Sequence, residues 1–389
     1  MSKSTIKRKY KVIELFSGIG AQRMALKRIA ESHPELDFEY VAQCEIDTSA
    51  IQSYNAIHGE TPNLGDICKV SKLPDCDILT WSFPCQALSM AGKREGMEKG
   101  SGTTSSLAWE VLRVLENTDH KPEWLLMENV PAILHTQNLK HFNKLIEKLT
   151  QIGYNSKYSI LNAMDFNIPQ DRSRCFMISH YQDTVPEFPV GEGLTRSIED
   201  FVEPECDIPP NLFLPKERIK IDEESLKNRK KKLMLSKEIS RYTQDRILHD
   251  ISGASSTITT KSTSNLRITY LKPLVYDLGV SPYKSANVGF DINGPISTLT
   301  ACHSGIAFPK IVIERERERV VRRLTSRETW RLMGIKDEDY DKAKEVTTTS
   351  QLYKQAGNSI VVDVLVALFS TMLLNKDSQK YQTNLEKWS

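Results

Sequence analysis

The stretch Ile78-Leu79-Thr80-Trp81-Ser82-Phe83-Pro84-Cys85-Gln86 reads as a buried strand running into a turn. Its four apolar or β-favouring residues suit a short strand covered on both faces. Proline has no N–H to give a ladder, so the strand must stop by Pro84. Cys85 then stands just past the carboxyl end of a strand, where open α/β sheets put their chemistry. A loop rich in Gly, Ser, Lys and Arg follows, through Gly102 and Thr104. A thiol fixed by a proline, with a basic lid behind it, points to a nucleophile. A buried structural cysteine is equally compatible with this stretch alone.

On either side of this stretch, strands and helices alternate. Residues 11–16 form an expected strand, Ser17-Gly18-Ile19-Gly20 a turn, and 21–30 a helix. Strand, glycine turn, helix is a nucleotide-cofactor pattern: glycine lets the backbone approach a ligand, and the helix start offers free N–H groups. A second strand, 40–44, ends at Glu45. An acid there suits a ribose diol. Asp47 would serve as well, and an ordinary solvated acid is the plain alternative. Gly65-Asp66-Ile67 is a further acidic turn. Beyond Cys85, residues 105–116 read as a helix and 124–127 as a strand delivering Glu128-Asn129-Val130 at its end. Leu139, Phe142, Leu145, Ile146 and Leu149 recur at helical spacing and belong to the core. Strands at 157–163 and 175–179 flank Ile168-Pro169-Gln170-Asp171-Arg172-Ser173-Arg174. The rhythm over 11–180 implies one doubly wound, mostly parallel sheet.

The rhythm is lost near Pro186. Residues 186–320 are rich in Pro, Ser, Thr, Asn and Gly; short exposed strands are expected at 255–263 and 297–300, and a solvated connector at 314–319. The basic run Arg229-Lys230-Lys231-Lys232 is either a solvated helix face or a contact for a polyanion. Helical pattern returns after Arg323, capped by Thr325 or Ser326 and stopped by Gly334. Gln355-Ala356-Gly357-Asn358-Ser359 and an apolar helix at 360–374 close the chain.

The 389 residues suffice for two domains, and 26% charged with 39% hydrophobic residues is ordinary globular composition. A net charge of +2 requires any nucleic-acid site to come from local clustering. Seven cysteines without a CxxC pair indicate reduced thiols in a cytosol and no zinc site. Neither a signal peptide nor a run long enough to span a bilayer is expected.

In order, the segments ELFSGIG (14–20), PCQ (84–86), ENV (128–130), QDRSR (170–174), RRLTSRETWRLMG (322–334) and GNS (357–359) resemble the DNA (cytosine-5)-methyltransferases of bacterial restriction–modification systems. The motifs frame nearly the whole chain. Two positions depart from the family's usual pattern: Gly20-Ala21 replaces a glycine pair, and Ala91 stands where a small hydroxyl is frequent. The resemblance implies a Rossmann-like S-adenosylmethionine-dependent fold. Residues 1–185, completed by 316–389, would be the catalytic and cofactor-binding domain. Residues 186–315 would be a smaller, irregular β-containing target-recognition domain.

The resemblance also assigns roles. Cys85, set by Pro84, would add to carbon 6 of a flipped-out cytosine in double-stranded DNA. Glu128 would hold ring nitrogen 3 and the exocyclic amine, Arg174 the carbonyl oxygen, and Arg172 the loop or a phosphate. S-adenosyl-L-methionine would lie against Phe16, Gly18, Ile19, Gly20, Glu45, Ile46, Asp66, Ile67 and Leu107, closed in by Asn358 and Ser359. It would leave as S-adenosyl-L-homocysteine, with no metal. Gln86, Ser89, Arg94 and residues 229–232 would meet DNA. A cytoplasmic bacterial monomer follows, sharing its site with a cognate restriction endonuclease. The alternatives are a tRNA cytosine-5 methyltransferase, whose Cys-Phe-Thr insert is missing at Cys175-Phe176-Met177; a nicotinamide dehydrogenase, which leaves PCQ and the arginines unused; and an inactive DNA-binding relative, which Cys85, Glu128 and Arg174 speak against.

Overall fold

The computed structural model describes residues 8–84, 106–212 and 324–374, together with the backbone of short strands at 233–234, 247–248, 289–291, 296–297, 310–315 and 318–323. Cys85, Gln86, Ser89, Ala91, Arg94, the run 229–232 and the expected strand at 255–263 lie outside the described residues.

A six-stranded sheet has the order β2-β1-β3-β4-β7-β5, where β1 is Arg8–Leu15, β2 Leu36–Cys44, β3 Ile78–Trp81, β4 Trp124–Asn129, β5 Tyr154–Asn162 and β7 Ser173–Tyr181. All pairings are parallel except those of β7, which runs antiparallel to both β4 and β5. The sheet is therefore mostly parallel, as the alternation predicts. The short β6, Gln170–Asp171, pairs with a two-residue strand, Ile296–Ser297.

Side chains alternate across a strand, so a sheet covered on both faces needs apolar residues at consecutive positions. The central strands meet this. Val12, Ile78, Trp124 and Leu126 face one cluster with α1 (Ala21–Ser32) and the last helix; Ile13, Leu79, Leu125 and Met127 face another with α3 (Leu107–Asn117) and α4 (Thr136–Ile152).

Among the described residues, three helices are additional to those expected. The helix α2, Thr48–His58, is capped by Asp47, which accepts from the Ser49 and Ala50 amides. The helices α6 (Asp337–Val346) and α7 (Thr349–Asn358) follow α5 (Ser326–Arg331). Of the two candidate caps for α5, Thr325 is the one used, in a reciprocal box with Glu328. Of residues 314–319, expected as a solvated connector, 314–315 and 318–319 instead belong to an antiparallel pair of strands, Lys310–Arg315 with Glu318–Arg323. In sequence the charged run is flanked by Ile311-Val312-Ile313 and Val320-Val321, β-branched stretches that suit strands.

Among the described residues one segment, Thr349–Leu374, is long and apolar enough to cross a membrane by length and composition, contrary to the expectation that none would be. It is broken at 359–361, and its second half, α8 (Val362–Leu374), packs on α1 beneath the sheet. Trp330 Nε1 donates to the Leu352 carbonyl at 2.9 Å and Tyr353 Oη to that of Leu324 at 2.7 Å, locking the closing helices together. Helix α8 thus completes the core begun by β1. Val185, Ile198 and Phe201 are buried in that same cluster. Phe369→Ala, on the buried face of α8, is expected to lower stability by about 3–5 kcal/mol in urea denaturation, as for a large core truncation. A surface helix would lose little.

Candidate active site

Register aligns the strand ends. Leu15 pairs with Cys44 on one side and Trp81 on the other, and Trp81 pairs with Met127. One step further along each strand stand Glu45, Phe16, Ser82 and Glu128. Parallel strands lie roughly 4.8 Å apart, so this row is roughly 14 Å long. Its middle, between β1 and β3, is the topological switch point of the sheet.

At the β1 end the turn is sharply bent. Phe16, Gly18 and Gly20 all have positive φ, at 56°, 54° and 79°. For Phe16 that is a costly conformation. It is held by Phe16 and Ser17 amides, both donating to the Cys44 carbonyl, and by Ser17 Oγ donating to Gln43 Oε1 at 2.8 Å. A Cβ on Gly18 would meet nothing within 4 Å, whereas one on Gly20 would come within 2.5 Å of His58 Nε2. Gly18 therefore faces open space and Gly20 is packed from below. Ala21 already begins α1 and is buried, so no second glycine is required there. This is where the usual glycine pair is reduced to one.

Glu45 Oε2 accepts from the Gly18 amide at 2.9 Å, and Oε1 from the Ile46 and Asp47 amides. The acid and the glycine turn are thereby brought together. Asp47, the alternative acid, is taken up by the α2 cap and by Lys354 at 2.7 Å. Ile46 is 73% exposed beside Glu45, an apolar surface at the crevice. Asp66 caps a short turn at Ile67–Lys69, whose Ile67 carbonyl accepts from Arg113. Phe16 and Leu107 both pack, partly buried, on the second core cluster. An open glycine, an acid and an exposed apolar side chain fit a nucleoside-bearing cofactor.

Beneath the turn, the buried Glu14 accepts from Tyr54 Oη at 2.5 Å and from the Arg23 amide at 3.1 Å. Burial raises its pKa to about 7 from an ordinary 4.5. Between those pH values the folded chain binds a proton that the unfolded chain has released. Its contribution to stability therefore falls as pH rises from 4.5 to 7 and is level above. Replacing Glu14 with Gln is expected to remove that slope from denaturation curves taken across this range; an unchanged slope would mean that the carboxyl ionises normally.

At the other end of the row, Glu128 is paired with Arg174, Nε to Oε1 at 3.1 Å, both largely buried. Antiparallel β7 explains how they meet. Glu128 pairs with Phe176, so Arg174 near the start of β7 lies beside the end of β4. Burial pushes the Glu128 carboxyl up, against the opposing pull of Arg174, Arg172 and a hydrogen bond from Ser82. Asn129 Nδ2 donates to the Phe83 carbonyl at 3.0 Å, tying the β4 end to the segment that leads through Pro84 to Cys85. Arg172, 3% exposed, is turned the other way. Its Nη2 donates to the carbonyls of Gly357 and Ser359, at 3.0 and 2.6 Å. Gln355 Nε2 in turn donates to the Ser49 carbonyl and to Ser53 on α2. Asn358 and Ser359 are thus linked to both the arginine segment and the Glu45 side of the crevice.

Sequence reasoning missed the support of the turn by Tyr54 and His58, because α2 has a weak apolar pattern. The cap Asp47 followed by Thr48 and Ser49 was the available signal.

An open sheet that gathers such groups along its carboxyl edge is characteristic of the Rossmann-like, S-adenosylmethionine-dependent enzymes. Residues 10–373 match the C-5 cytosine-specific DNA methylase family, and the chain belongs to it. It is a DNA (cytosine-5)-methyltransferase rather than an RNA enzyme of similar build. Type II methyltransferase M2.ScrFI of Lactococcus lactis subsp. cremoris is 30% identical over 93% of this chain and 98% of its own. The orphan methyltransferase M.SPRI of Bacillus phage SPR is 30% identical over 95% and 100%. The fold is similar to that of the Entamoeba histolytica methyltransferase EhMeth, with a TM-score of 0.64 at 16% identity over 96% and 100% of the two chains.

Proposed function

We propose that the chain methylates carbon 5 of a flipped-out cytosine within one specific duplex DNA sequence through a covalent bond to Cys85. The observation that carries this reading is the buried Glu128–Arg174 pair one strand away from the segment that ends in Pro84. Carbon 5 of cytosine is a poor nucleophile. Adding the Cys85 thiolate to carbon 6 makes carbon 5 enamine-like, and a proton from Glu128 to nitrogen 3 offsets the charge that builds. Burial, which keeps the Glu128 carboxyl protonated above its ordinary range, suits it to that donation. Arg174 offers its remaining N–H groups to the base carbonyl. Arg172, through Gly357 and Ser359, steadies the segment carrying Asn358. Once carbon 5 carries the methyl group, its proton leaves to water, the carbon 6–sulfur bond breaks to expel the thiolate, and nitrogen 3 returns its proton to Glu128.

S-adenosyl-L-methionine, which supplies the electrophilic methyl group and leaves as S-adenosyl-L-homocysteine, would be held by Phe16, Gly18, Ile19, Gly20, Glu45, Ile46, Asp66, Ile67, Leu107, Asn358 and Ser359. Glu45 suits the ribose hydroxyls, and exposed Ile46 offers a surface for the adenine. No metal takes part.

Residues 186–315 form the target-recognition domain in this reading, with its first segment, through Phe201, lying against the catalytic core. Gln86, Ser89, Arg94 and residues 229–232 contact DNA, the last through phosphates. The enzyme acts as a monomer in the bacterial cytoplasm. It protects its site from a cognate endonuclease, in line with the type II designation of M2.ScrFI. Labelled methyl transfer to duplex DNA and to tRNA, followed by mapping, tests the reading. Label is expected in DNA alone, as 5-methylcytosine in one sequence context; label in tRNA, or on an amino nitrogen, would reject it.

A further inference from the structure

We propose that His58 is a positioning residue for the cofactor turn, holding it from below through the Ile19 carbonyl. The proposal rests on the reading that residues 16–20 carry S-adenosylmethionine. His58 is the last residue of α2, and its Nε2 lies 3.0 Å from Ile19 O. A carbonyl only accepts, so Nε2 must carry the hydrogen. Burial and the neighbouring Arg23 guanidinium keep the ring neutral, which leaves that tautomer in place at ordinary pH. The same ring fills the space where a side chain on residue 20 would project. One imidazole thus both supports Ile19 and demands glycine at position 20.

His58 is itself held on several sides. Arg23 Nη2 donates to its carbonyl at 3.1 Å, while Nη1 donates to Thr61 Oγ1 and Tyr54 Oη. Tyr54 meets the His58 ring edge-on, with centroids 4.8 Å apart, and donates its hydroxyl to Glu14. Arg23 also stacks over Tyr40 at 4.1 Å. The groups come from β1, α1, β2 and α2, and none is required for the chemistry at the base. Their common product is the shape of residues 16–20. Because the turn includes three positive-φ positions, it has little preference of its own for this form and depends on such supports.

The test compares His58→Ala with His58→Gln, whose amide can present an N–H near the same place. His58→Ala is expected to raise the Kd and KM for S-adenosylmethionine about tenfold, the loss of roughly one hydrogen bond, with kcat at saturating cofactor and KM for DNA within about twofold. His58→Gln should remain within about threefold of the parent. Unchanged cofactor affinity in the alanine variant, or an equal loss in both variants with kcat falling alongside, overturns the proposal. If His58→Ala does not fold, Tyr54→Phe decides: a cofactor Kd about threefold weaker supports the network, and an unchanged one rejects it. Glu45→Ala in the same titration separates the two levels. If it leaves affinity intact, the turn is not the cofactor site; if it weakens binding while the His58 variants do not, only the role of His58 fails.

Discussion

Parallel pairing in register sets where every group of the candidate site stands. Because β2, β1, β3 and β4 all run the same way, their carboxyl ends emerge on one edge. Because Cys44, Leu15, Trp81 and Met127 are matched in register, Glu45, Phe16, Ser82 and Glu128 follow at one level. A one-residue slip of β4 would turn Glu128 to the other face and leave Arg174 facing an apolar side chain. The reversed strand β7 is the necessary exception. Only an antiparallel neighbour brings an arginine at its start to the end of β4.

The second constraint is closure of one core shared by β1 and α8. Arg172 donates to two carbonyls more than 180 residues away, at Gly357 and Ser359. A buried guanidinium has to find acceptors, and backbone carbonyls past the end of α7 supply them without a second charge. The arginine segment that carries Arg174 is therefore braced by the same contacts that hold Asn358 and Ser359. On the proposed assignment the base pocket and the far wall of the cofactor pocket lean on a single side chain.

Much of this was legible in the sequence where chemistry and periodicity coincide. The strand at Ile78–Trp81 was bounded by its apolar run and by Pro84, and Thr325 with Glu328 announced a helix start. Strand β1 stops at Leu15, one residue before the expected end, because Phe16 turns left-handed. No local signal marks a phenylalanine for that conformation; contacts with Cys44 impose it. Helices α2, α6 and α7 were hidden for related reasons. They are short and polar, and each buries only a few side chains, such as Tyr54, Tyr340 and Leu352. Their stability comes from tertiary packing and caps rather than from a broad apolar stripe. At 314–315 and 318–319 the alternating charge suggests a connector, but the β-branched residues on either side favour the strands that form. Arg172 illustrates a further limit: a motif position can be recognised from sequence, but the direction in which its side chain turns cannot.

The proposed chemistry turns on attack of Cys85 on the base. Duplex DNA carrying 5-fluorocytosine at the target position tests it directly, because fluorine cannot leave carbon 5 as a cation and the cycle must stop after methyl transfer. With S-adenosylmethionine present, enzyme and DNA are expected to stay joined through denaturation, with mass spectrometry locating the methylated base on the Cys85 peptide. Attachment at any of the other six cysteines, or no adduct on DNA that is otherwise methylated, would contradict it.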